Sequence, residues 1–401
     1  MSRVKIVQQP FEQLTRILCP QGIKTVTTGS GEIGRFLQAR YGSVNEMQVK
    51  AIWEENLHKI PQAKIIILGV PMDTGAGFER GAFKGPLGIR SQFLSKKDFY
   101  QNLETHGIID IGDVRGQFQS VADDMASPQF IQATRASRGW GVLGEALQLP
   151  ISYHSILERT LDLIGTLNPQ AKVLLLGGDH SLSWVPIQYL SENNPNQNLG
   201  IVHFDAHTDL MEERDGSLLN FATWAYHANN AIGRGNRLQQ LGIRVSGHTR
   251  EHWETTLQLR QIRMEEISAR TAEDVIAEVI ANLVNAGVTR VYISNDIDGT
   301  DPTYAASTGT MEFGGMMPEF VHALINALGQ SFDVVGSDLV EVAPPLKWHV
   351  HGEPSRTTQT AAYYVVAQMN AMLQGASILF NPFSQLIPSK LDELMSFPLL
   401  A

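Results

Sequence analysis

Three short acidic stretches hold the residues of this 401-residue chain that are best suited to chemistry. They span residues 177–181, 205–209 and 296–302, and each follows a short apolar run. Such runs are typical of strands covered on both faces in a parallel sheet, and ligands collect at the carboxyl ends of these strands. We therefore expect six side chains to meet at one sheet edge: His180, Asp205, His207, Asp209, Asp296 and Asp298.

These six side chains predict a metal centre. Carboxylates that converge in a partly buried crevice repel one another and lose hydration, and a divalent cation removes both penalties. Aspartate oxygen with neutral imidazole suits manganese, nickel, zinc or iron(II), and the absence of cysteine from the set argues against a structural zinc site. Six ligands exceed what one catalytic ion takes from protein, so we expect two ions about 3.5–4 Å apart that share carboxylates and a water.

The spacing within the stretches supports this hypothesis. Asp205, His207 and Asp209 lie at positions i, i+2 and i+4, so that on extended backbone their side chains point to the same side. Asp296 and Asp298 repeat the i, i+2 spacing. A lone aspartate is more often a turn residue or a helix cap, and the metal hypothesis therefore depends on the whole set.

In this order and spacing, the stretches resemble those of the ureohydrolases, the family of arginase and agmatinase. Residues 70–90 look like the first strand and loop of that family, and residues 338–344 look like its late carboxylate loop. The resemblance implies an α/β protein of three α/β/α layers around a mostly parallel sheet of about eight strands. It also implies an enzyme that cleaves guanidino groups with two Ni²⁺ or Mn²⁺ ions.

The resemblance implies a role for each ligand. One ion would be held by His180 and Asp209, the other by His207 and Asp298, and both by the bridging pair Asp205 and Asp296.

It also implies two catalytic carboxylates. The metal pair would bring the pKa of a bound water to about 7. Asp209 would then move a proton to the departing nitrogen, and Glu341 would hold the planar guanidinium through paired charged hydrogen bonds.

One family position differs. Arginases and agmatinases carry a His-Gly pair between the second and third stretches, and here Phe221 stands where the histidine is expected. Phenylalanine cannot transfer a proton. His227 is the candidate replacement, and an ordinary core or surface role is its alternative. The substrate pocket is expected to include Phe221, Thr223, Trp224, Glu341 and Trp348.

The loops favour a small substrate. The aromatic pocket residues, a predicted lid at residues 347–353 and the long N-terminal extension resemble the branch that hydrolyses free guanidine to urea and ammonia. An agmatinase or guanidino-acid hydrolase, in which the acids of residues 212–215 meet a distal amine, is the main alternative. A deacetylase-like enzyme with one zinc ion and a catalytically silent binding protein are the remaining alternatives.

Composition limits the classes of partner and the location that we expect for the protein. The net charge of −10 argues against nucleic acid and anionic membranes and suits a small cationic guanidino substrate. The single cysteine, Cys19, excludes an intramolecular disulfide. The sequence shows neither a signal peptide nor an apolar run of about 18 residues, so we expect a cytoplasmic protein. The resemblance implies a homo-oligomer, a trimer or a hexamer.

Periodicity places the elements around these stretches. Apolar runs predict strands at residues 64–70, 108–113, 173–176, 201–204, 288–294 and 334–336, alternating with helical patterns from residue 155 onwards. This alternation predicts a parallel sheet between two helical layers. We expect an N-terminal extension at 1–60 that packs on the domain or on a neighbouring subunit, a hydrolase domain at 61–381 and a tail at 382–401.

Overall fold

A central sheet organises the fold. A computed structural model describes residues 2–23, 30–77, 79–140, 148–193, 198–346, 355–373 and 382–383. Within these ranges, nine strands pair in the order β1-β3-β2-β4-β9-β8-β5-β6-β7. They are β1 Leu18–Cys19, β2 Ile65–Gly69, β3 Ile108–Val114, β4 Lys172–Leu176, β5 Leu199–Phe204, β6 Leu238–Leu241, β7 Arg260–Ile262, β8 Arg290–Asp296 and β9 Asp333–Val340.

The sheet is parallel apart from β1, which runs antiparallel to β3. The predicted mostly parallel α/β/α fold is confirmed, with nine strands among the described residues in place of the expected eight or so.

Helices cover both faces of the sheet. They are α1 Ser2–Ile17, α2 Ser30–Tyr41, α3 Glu46–Leu57, α4 Gly85–Leu94, α5 Phe99–Thr105, α6 Pro128–Ser137, α7 Tyr153–Leu167, α8 Trp184–Asn193, α9 Trp224–Ala231, α10 Arg250–Leu257, α11 Met264–Ser268, α12 Ala272–Asn285, α13 Pro318–Ser331 and α14 Ser355–Met372. One layer contains α4, α5 and α12 to α14, and the other contains α1, α3 and α7 to α9. Among the described helices, none is long and apolar enough to cross a membrane.

Strand β2 shows why the central strands are apolar throughout. All of its residues are buried. Ile65 and Ile67 pack into the core on one face of the sheet, and Ile66 and Leu68 pack into the core on the other. A strand between two helical layers has no solvent-facing side, so its apolar run is continuous instead of alternating.

Strands β6 and β7 were not predicted because they contain glutamines. Gln240 and Gln261 are buried, and the Gln261 side-chain amide donates to Gln240 Oε1 at 2.8 Å. The Gln240 amide donates in turn to the Thr208 carbonyl at 2.7 Å. Amides satisfied in this way can be buried at low cost, so a strand forms where the apolar pattern is absent.

The described part of the N-terminal extension extends the sheet. Strand β1 pairs with β3 at the edge, and the indole nitrogen of Trp53 on α3 donates to the Ile111 carbonyl at 2.8 Å. The backbone amide of Gly22 donates to the Asp113 carboxylate at 2.7 Å. Strand β1, helix α3 and Gly22 therefore each contact strand β3.

Candidate metal centre

The carboxyl ends of neighbouring strands supply the site. His180 follows β4, Asp205 and His207 follow β5, and Asp296 ends β8. Strand β9 lies between β4 and β8 and is followed by Glu341. Because parallel strands end at one edge, segments far apart in the sequence meet there.

The first candidate subsite surrounds His180. Its Nδ1 lies 3.0 Å from Asp296 Oδ2 and 3.2 Å from the Oδ2 atoms of Asp205 and Asp209. All four side chains are at most 7% exposed. This arrangement offers one imidazole nitrogen and three carboxylate oxygens to a common point.

The second candidate subsite surrounds His207. Its Nδ1 lies 3.1 Å from Asp298 Oδ2 and 3.4 Å from Asp205 Oδ1. Asp205 therefore contributes one oxygen to each group, as a bridging ligand would. His207 is 24% exposed, so this subsite is the more open of the two.

The tautomer of His180 tests whether the residues fit a cation. The Ser294 hydroxyl donates to Asp338 Oδ1 at 3.0 Å, so its oxygen accepts from His180 Nε2, also at 3.0 Å. The network thus assigns a proton to Nε2 and leaves Nδ1 as the nitrogen that can bind a cation. Three carboxylate oxygens face that buried nitrogen, and they outweigh the effect of burial and raise the pKa of His180 well above its usual value. A divalent ion at their centre would take the place of a proton on Nδ1 and neutralise the carboxylates, and the donor set fits manganese or nickel.

The pKa shifts show how much negative charge converges here. Burial raises the pKa of Asp296 well above its usual range, and the charges of Asp298 and Asp205 raise it further. Burial works to lower the pKa of His207, but Asp298 and Asp205 outweigh it and raise that pKa to about 12. Protons and divalent cations therefore compete for the same groups.

Asp209 is held in place by its backbone and by an indole. Its φ is 52°, in the left-handed region. The indole nitrogen of Trp224 donates to Asp209 Oδ2 at 2.8 Å. Trp224 is 1% exposed, and its ring lies 4.5 Å from the His180 ring. Trp224 therefore packs against the ligands His180 and Asp209 in the protein interior. The sequence had instead predicted that it lines the substrate pocket.

Glu341 lies beside the first subsite. Its φ is 58°, its side chain is buried, and its Oε1 accepts from the backbone amide of His180 at 2.9 Å. Burial raises the pKa of this carboxyl well above its usual range, and the charge of Asp179 adds to the shift. A buried acid in this position is stabilised in its charged form by a cation that donates hydrogen bonds.

Two other predicted site residues, His227 and Thr223, make hydrogen bonds away from the ligand cluster. His227 Nε2 is 3.0 Å from the carbonyl oxygen of Glu212, so the structure does not bring it to the ligands. The buried Thr223 hydroxyl donates to the Leu218 carbonyl at 2.7 Å, which makes it a turn residue. Trp348 and the predicted lid lie outside the described residues.

Phe221 lines a neighbouring cavity of about 530 Å³. Its backbone amide donates to the Gly75 carbonyl at 2.9 Å, and the Arg214 guanidinium lies 5.0 Å from the centre of its ring. Arg80 also lines this cavity.

Sequence reasoning missed two further groups at the centre. His203 Nε2 lies 2.7 Å from Asp205 Oδ2, and Asp338 accepts from the hydroxyls of Ser294 and Tyr292. Each is a titratable residue inside a buried strand, β5 and β9 respectively. That interruption is the signal that could have revealed them.

The fold and the donor set define the class of amidinohydrolases. The sequence model of the Arginase family matches residues 63–371. The chain therefore belongs to the Arginase family, and it is a hydrolase that acts on the C–N bonds of linear amidines. The family uses a binuclear divalent-metal centre, to which the two candidate subsites correspond.

Three similar proteins are named guanidinopropionase, guanidinobutyrase and agmatinase. The chain is 30% identical to a guanidinopropionase of Pseudomonas aeruginosa over 288 residues, which is 70% of this chain and 79% of that protein. It is 28% identical to a guanidinobutyrase of the same organism over 286 residues, 69% and 78% of the two chains. It is also 28% identical to an agmatinase of Bacillus subtilis over 330 residues, 82% and 96% of the two chains.

Solved structures share the fold. The proclavaminate amidino hydrolase from Streptomyces clavuligerus superposes with a TM-score of 0.62 at 22% identity, over 79% of this chain and 95% of that one. The arginase from Bacillus caldovelox superposes with a TM-score of 0.55, also at 22% identity, over 79% and 100% of the chains.

Proposed function

We propose that the substrate of this amidinohydrolase is free guanidine, which it hydrolyses to urea and ammonia. The observation that carries the proposal is the buried Glu341 carboxylate beside the ligand cluster, fixed by the His180 backbone amide. Guanidinium is a small planar cation with N–H donors on every side, and the buried Glu341 carboxylate is a planar acceptor that can bind two of these donors. The acids that a distal amine would need, Glu212, Glu213 and Asp215, are exposed to solvent.

The roles of the protein groups follow from this placement. Glu341 orients the guanidinium face, and Asp209 carries a proton from the attacking water to the departing nitrogen. A C–O bond forms and a C–N bond breaks, so guanidine and water give urea and ammonia. Two bound divalent ions supply water activation at neutral pH.

We assign the two ions to the ligand groups described above. His180 and Asp209 would hold one ion and His207 and Asp298 the other, and Asp205, which faces both groups, would be shared. Asp296 lies against His180, and we propose from the likeness to the family that it is shared as well. This oxygen and imidazole set suits both Ni²⁺ and Mn²⁺, and we propose one of these as the native metal.

A guanidino acid is the second candidate substrate. Arg80 and Arg214 both line the cavity beside Phe221, and their guanidinium groups would suit the carboxylate of such a substrate. The names guanidinopropionase and guanidinobutyrase of two relatives are consistent with this alternative.

A substrate series separates the two candidates. Urea release is measured with guanidine, methylguanidine, guanidinopropionate, guanidinobutyrate, agmatine and arginine, with the protein loaded with Ni²⁺ or with Mn²⁺. We expect the largest kcat/KM with guanidine. A kcat/KM that increases with tail length would contradict the proposal.

Paired arginine variants give the control. Arg80→Gln and Arg214→Gln should leave guanidine turnover unchanged. If a guanidino acid is the substrate, these changes should instead raise its KM by about tenfold or more, since a charged hydrogen bond contributes about 1.5–3 kcal/mol.

We also propose that the protein acts as a homo-oligomer. The described extension leaves Val44 and Met47 60% and 82% exposed, and a second subunit that packs on this segment would cover them. Light scattering coupled to size-exclusion chromatography measures the assembly, and a monomer at micromolar concentration would contradict the proposal.

A further inference from the structure

Arg244, which follows β6, joins three loops at the candidate metal centre. Its guanidinium donates to the backbone of the ligand loop through the Asp298 carbonyl at 2.6 Å and the Gly299 carbonyl at 3.4 Å. It also donates to the carbonyls of Glu312 at 2.9 Å and Phe313 at 3.1 Å. Its backbone amide donates to the Ala206 carbonyl at 2.9 Å, next to His207.

The loop held by Arg244 reaches two ligands of the more open subsite. The hydroxyl of Thr310 donates to Asp298 Oδ2 at 2.8 Å. A carboxylate oxygen of Glu312 lies 3.7 Å from His207 Nε2, on the side of the ring opposite the Nδ1 that faces Asp298 and Asp205. His207 thus lies between the charged carboxylate of Glu312, which faces Nε2 at 3.7 Å, beyond hydrogen-bond distance, and the oxygens that would share an ion with its Nδ1.

We propose that Glu312 and Arg244 are positioning residues that set the affinity of the subsite formed by His207, Asp205 and Asp298 for its divalent ion. This inference depends on the proposed two-ion function. Neither residue supplies a ligand atom. Glu312 acts through the imidazole of His207, and Arg244 acts through the loop that carries Glu312.

The physical reason lies in the tautomer and orientation of His207. An imidazole that presents the Nδ1 lone pair to a cation carries its proton on Nε2, and a carboxylate opposite Nε2 favours that tautomer and that orientation of the ring. At 24% exposure, His207 is less constrained by packing than the 1% exposed His180, so it depends more on such a partner. Arg244 fixes the loop that carries Glu312 because its planar guanidinium donates hydrogen bonds to several backbone carbonyls at once.

The test measures binding of each ion to the whole protein. Wild type, Glu312→Ala and Glu312→Gln are stripped of metal and titrated with Mn²⁺ and with Ni²⁺ by calorimetry, and bound metal is counted by elemental analysis. We expect two ions in wild type. In Glu312→Ala the Kd of the weaker ion should rise about 10–100-fold, as is typical when such a partner is lost, while the Kd of the tighter ion stays unchanged. Glu312→Gln, which keeps an acceptor, should lie between the two.

Controls separate positioning from a loss of structure. Glu278 lies on α12 and pairs with Arg270, and its side chain is 43% exposed against 38% for Glu312. Glu278→Ala removes this carboxylate and should leave both Kd values unchanged. The Tm of the metal-free Glu312→Ala protein should equal that of the metal-free wild type. Arg244→Lys keeps the charge but loses the planar guanidinium with its several donors, and it should raise the Kd of the same ion. The visible spectrum of bound Co²⁺ should change for that ion alone.

The outcomes are distinct. A wild-type protein that binds a single ion would refute the proposed function itself. Two ions in wild type together with unchanged affinities in Glu312→Ala would overturn the inference and leave the function standing. Equal weakening of both ions would also overturn it, because the effect would then not be specific to His207.

Discussion

Two residues at the candidate site have backbone conformations that non-glycine residues rarely adopt. Asp209 and Glu341 have φ values of 52° and 58°. Such conformations cost about 1–3 kcal/mol and persist where surrounding contacts fix them. For Glu341 those contacts are its own amide, which donates to the Gly178 carbonyl at 2.9 Å, and its Oε1, which accepts from His180. Strain of this kind orients each carboxylate before the substrate binds.

The carboxylate of Glu341 gives the first prediction. In Glu341→Gln the amide oxygen still accepts from His180, but the charge that would bind a guanidinium is lost. We expect kcat/KM for the substrate to fall about 100-fold or more, since hydrogen bonds to charged groups contribute about 1.5–3 kcal/mol each. Urea release at subsaturating substrate measures it.

Stability and metal content serve as controls for this variant. Burial and Asp179 raise the pKa of Glu341, so its charged form is unfavourable in the absence of substrate. The neutral variant should therefore have a Tm equal to or above that of wild type and should bind two ions. Wild-type kcat/KM in this variant would exclude Glu341 as the group that binds the guanidinium.

At the scale of elements, a buried ionic cluster joins α4 to β3. Arg90 is fully buried; it donates to both oxygens of Asp110 at 2.8 Å and also to Asp113. Asp113 accepts in addition from the Gly22 amide, which belongs to the N-terminal extension. One cluster thus fixes a helix, a strand and the extension relative to one another. Such clusters stabilise only while every member is paired.

Removal of Arg90 is the second prediction. Arg90→Met leaves two buried carboxylates without their cation. We expect the free energy of unfolding to fall by about 3–5 kcal/mol. Denaturant unfolding measures the loss, with Arg270→Met as the control, because the pair of Arg270 and Glu278 is exposed and should contribute about 0–1 kcal/mol. A loss below 1 kcal/mol for Arg90→Met would show that the cluster does not stabilise the fold.

At the scale of the whole molecule, the sheet concentrates acids at one edge. The ligands and Glu341 follow strands that are neighbours in the sheet but far apart in the chain. The packing of the two helical layers against the sheet holds these groups close together. Folding therefore maintains a repulsion that metal binding relieves, and metal and stability are linked.

This linkage gives the third prediction, a pH dependence. Without metal, the pKa of His207 in the folded protein, about 12, lies above its unfolded value of 6.5. Protonation of His207 therefore stabilises the metal-free fold fully below pH 6.5, and this contribution is lost as pH rises above that value. Metal binding needs the neutral imidazole. We expect the Tm increase caused by saturating metal to grow as pH rises through this window.

Thermal unfolding from pH 6 to 9, with a chelator or with Mn²⁺ or Ni²⁺, tests this prediction. A variant of His207 that cannot bind metal, His207→Phe, should show a smaller increase with a weaker pH dependence. A Tm increase that does not change with pH would show that protons and metal do not compete for this group.

Much of the candidate site was predictable because its residues are local in sequence. The ligand spacing in residues 205–209 and 296–298 and the apolar runs before them are properties of short segments. The strands that were missed, β6 and β7, bury polar side chains whose partners come from elsewhere in the chain. Their burial depends on contacts that no local pattern records.

The sequence by itself determined the parallel α/β architecture and the types of ligand, because hydrophobic periodicity and donor chemistry are encoded residue by residue. Only the tertiary structure decided which partners those ligands have. It turned His227 towards the Glu212 carbonyl, packed Trp224 beneath Asp209 and placed Glu312 opposite His207. Side-chain direction at a strand end depends on the neighbouring loops, and those loops meet only when the sheet has assembled.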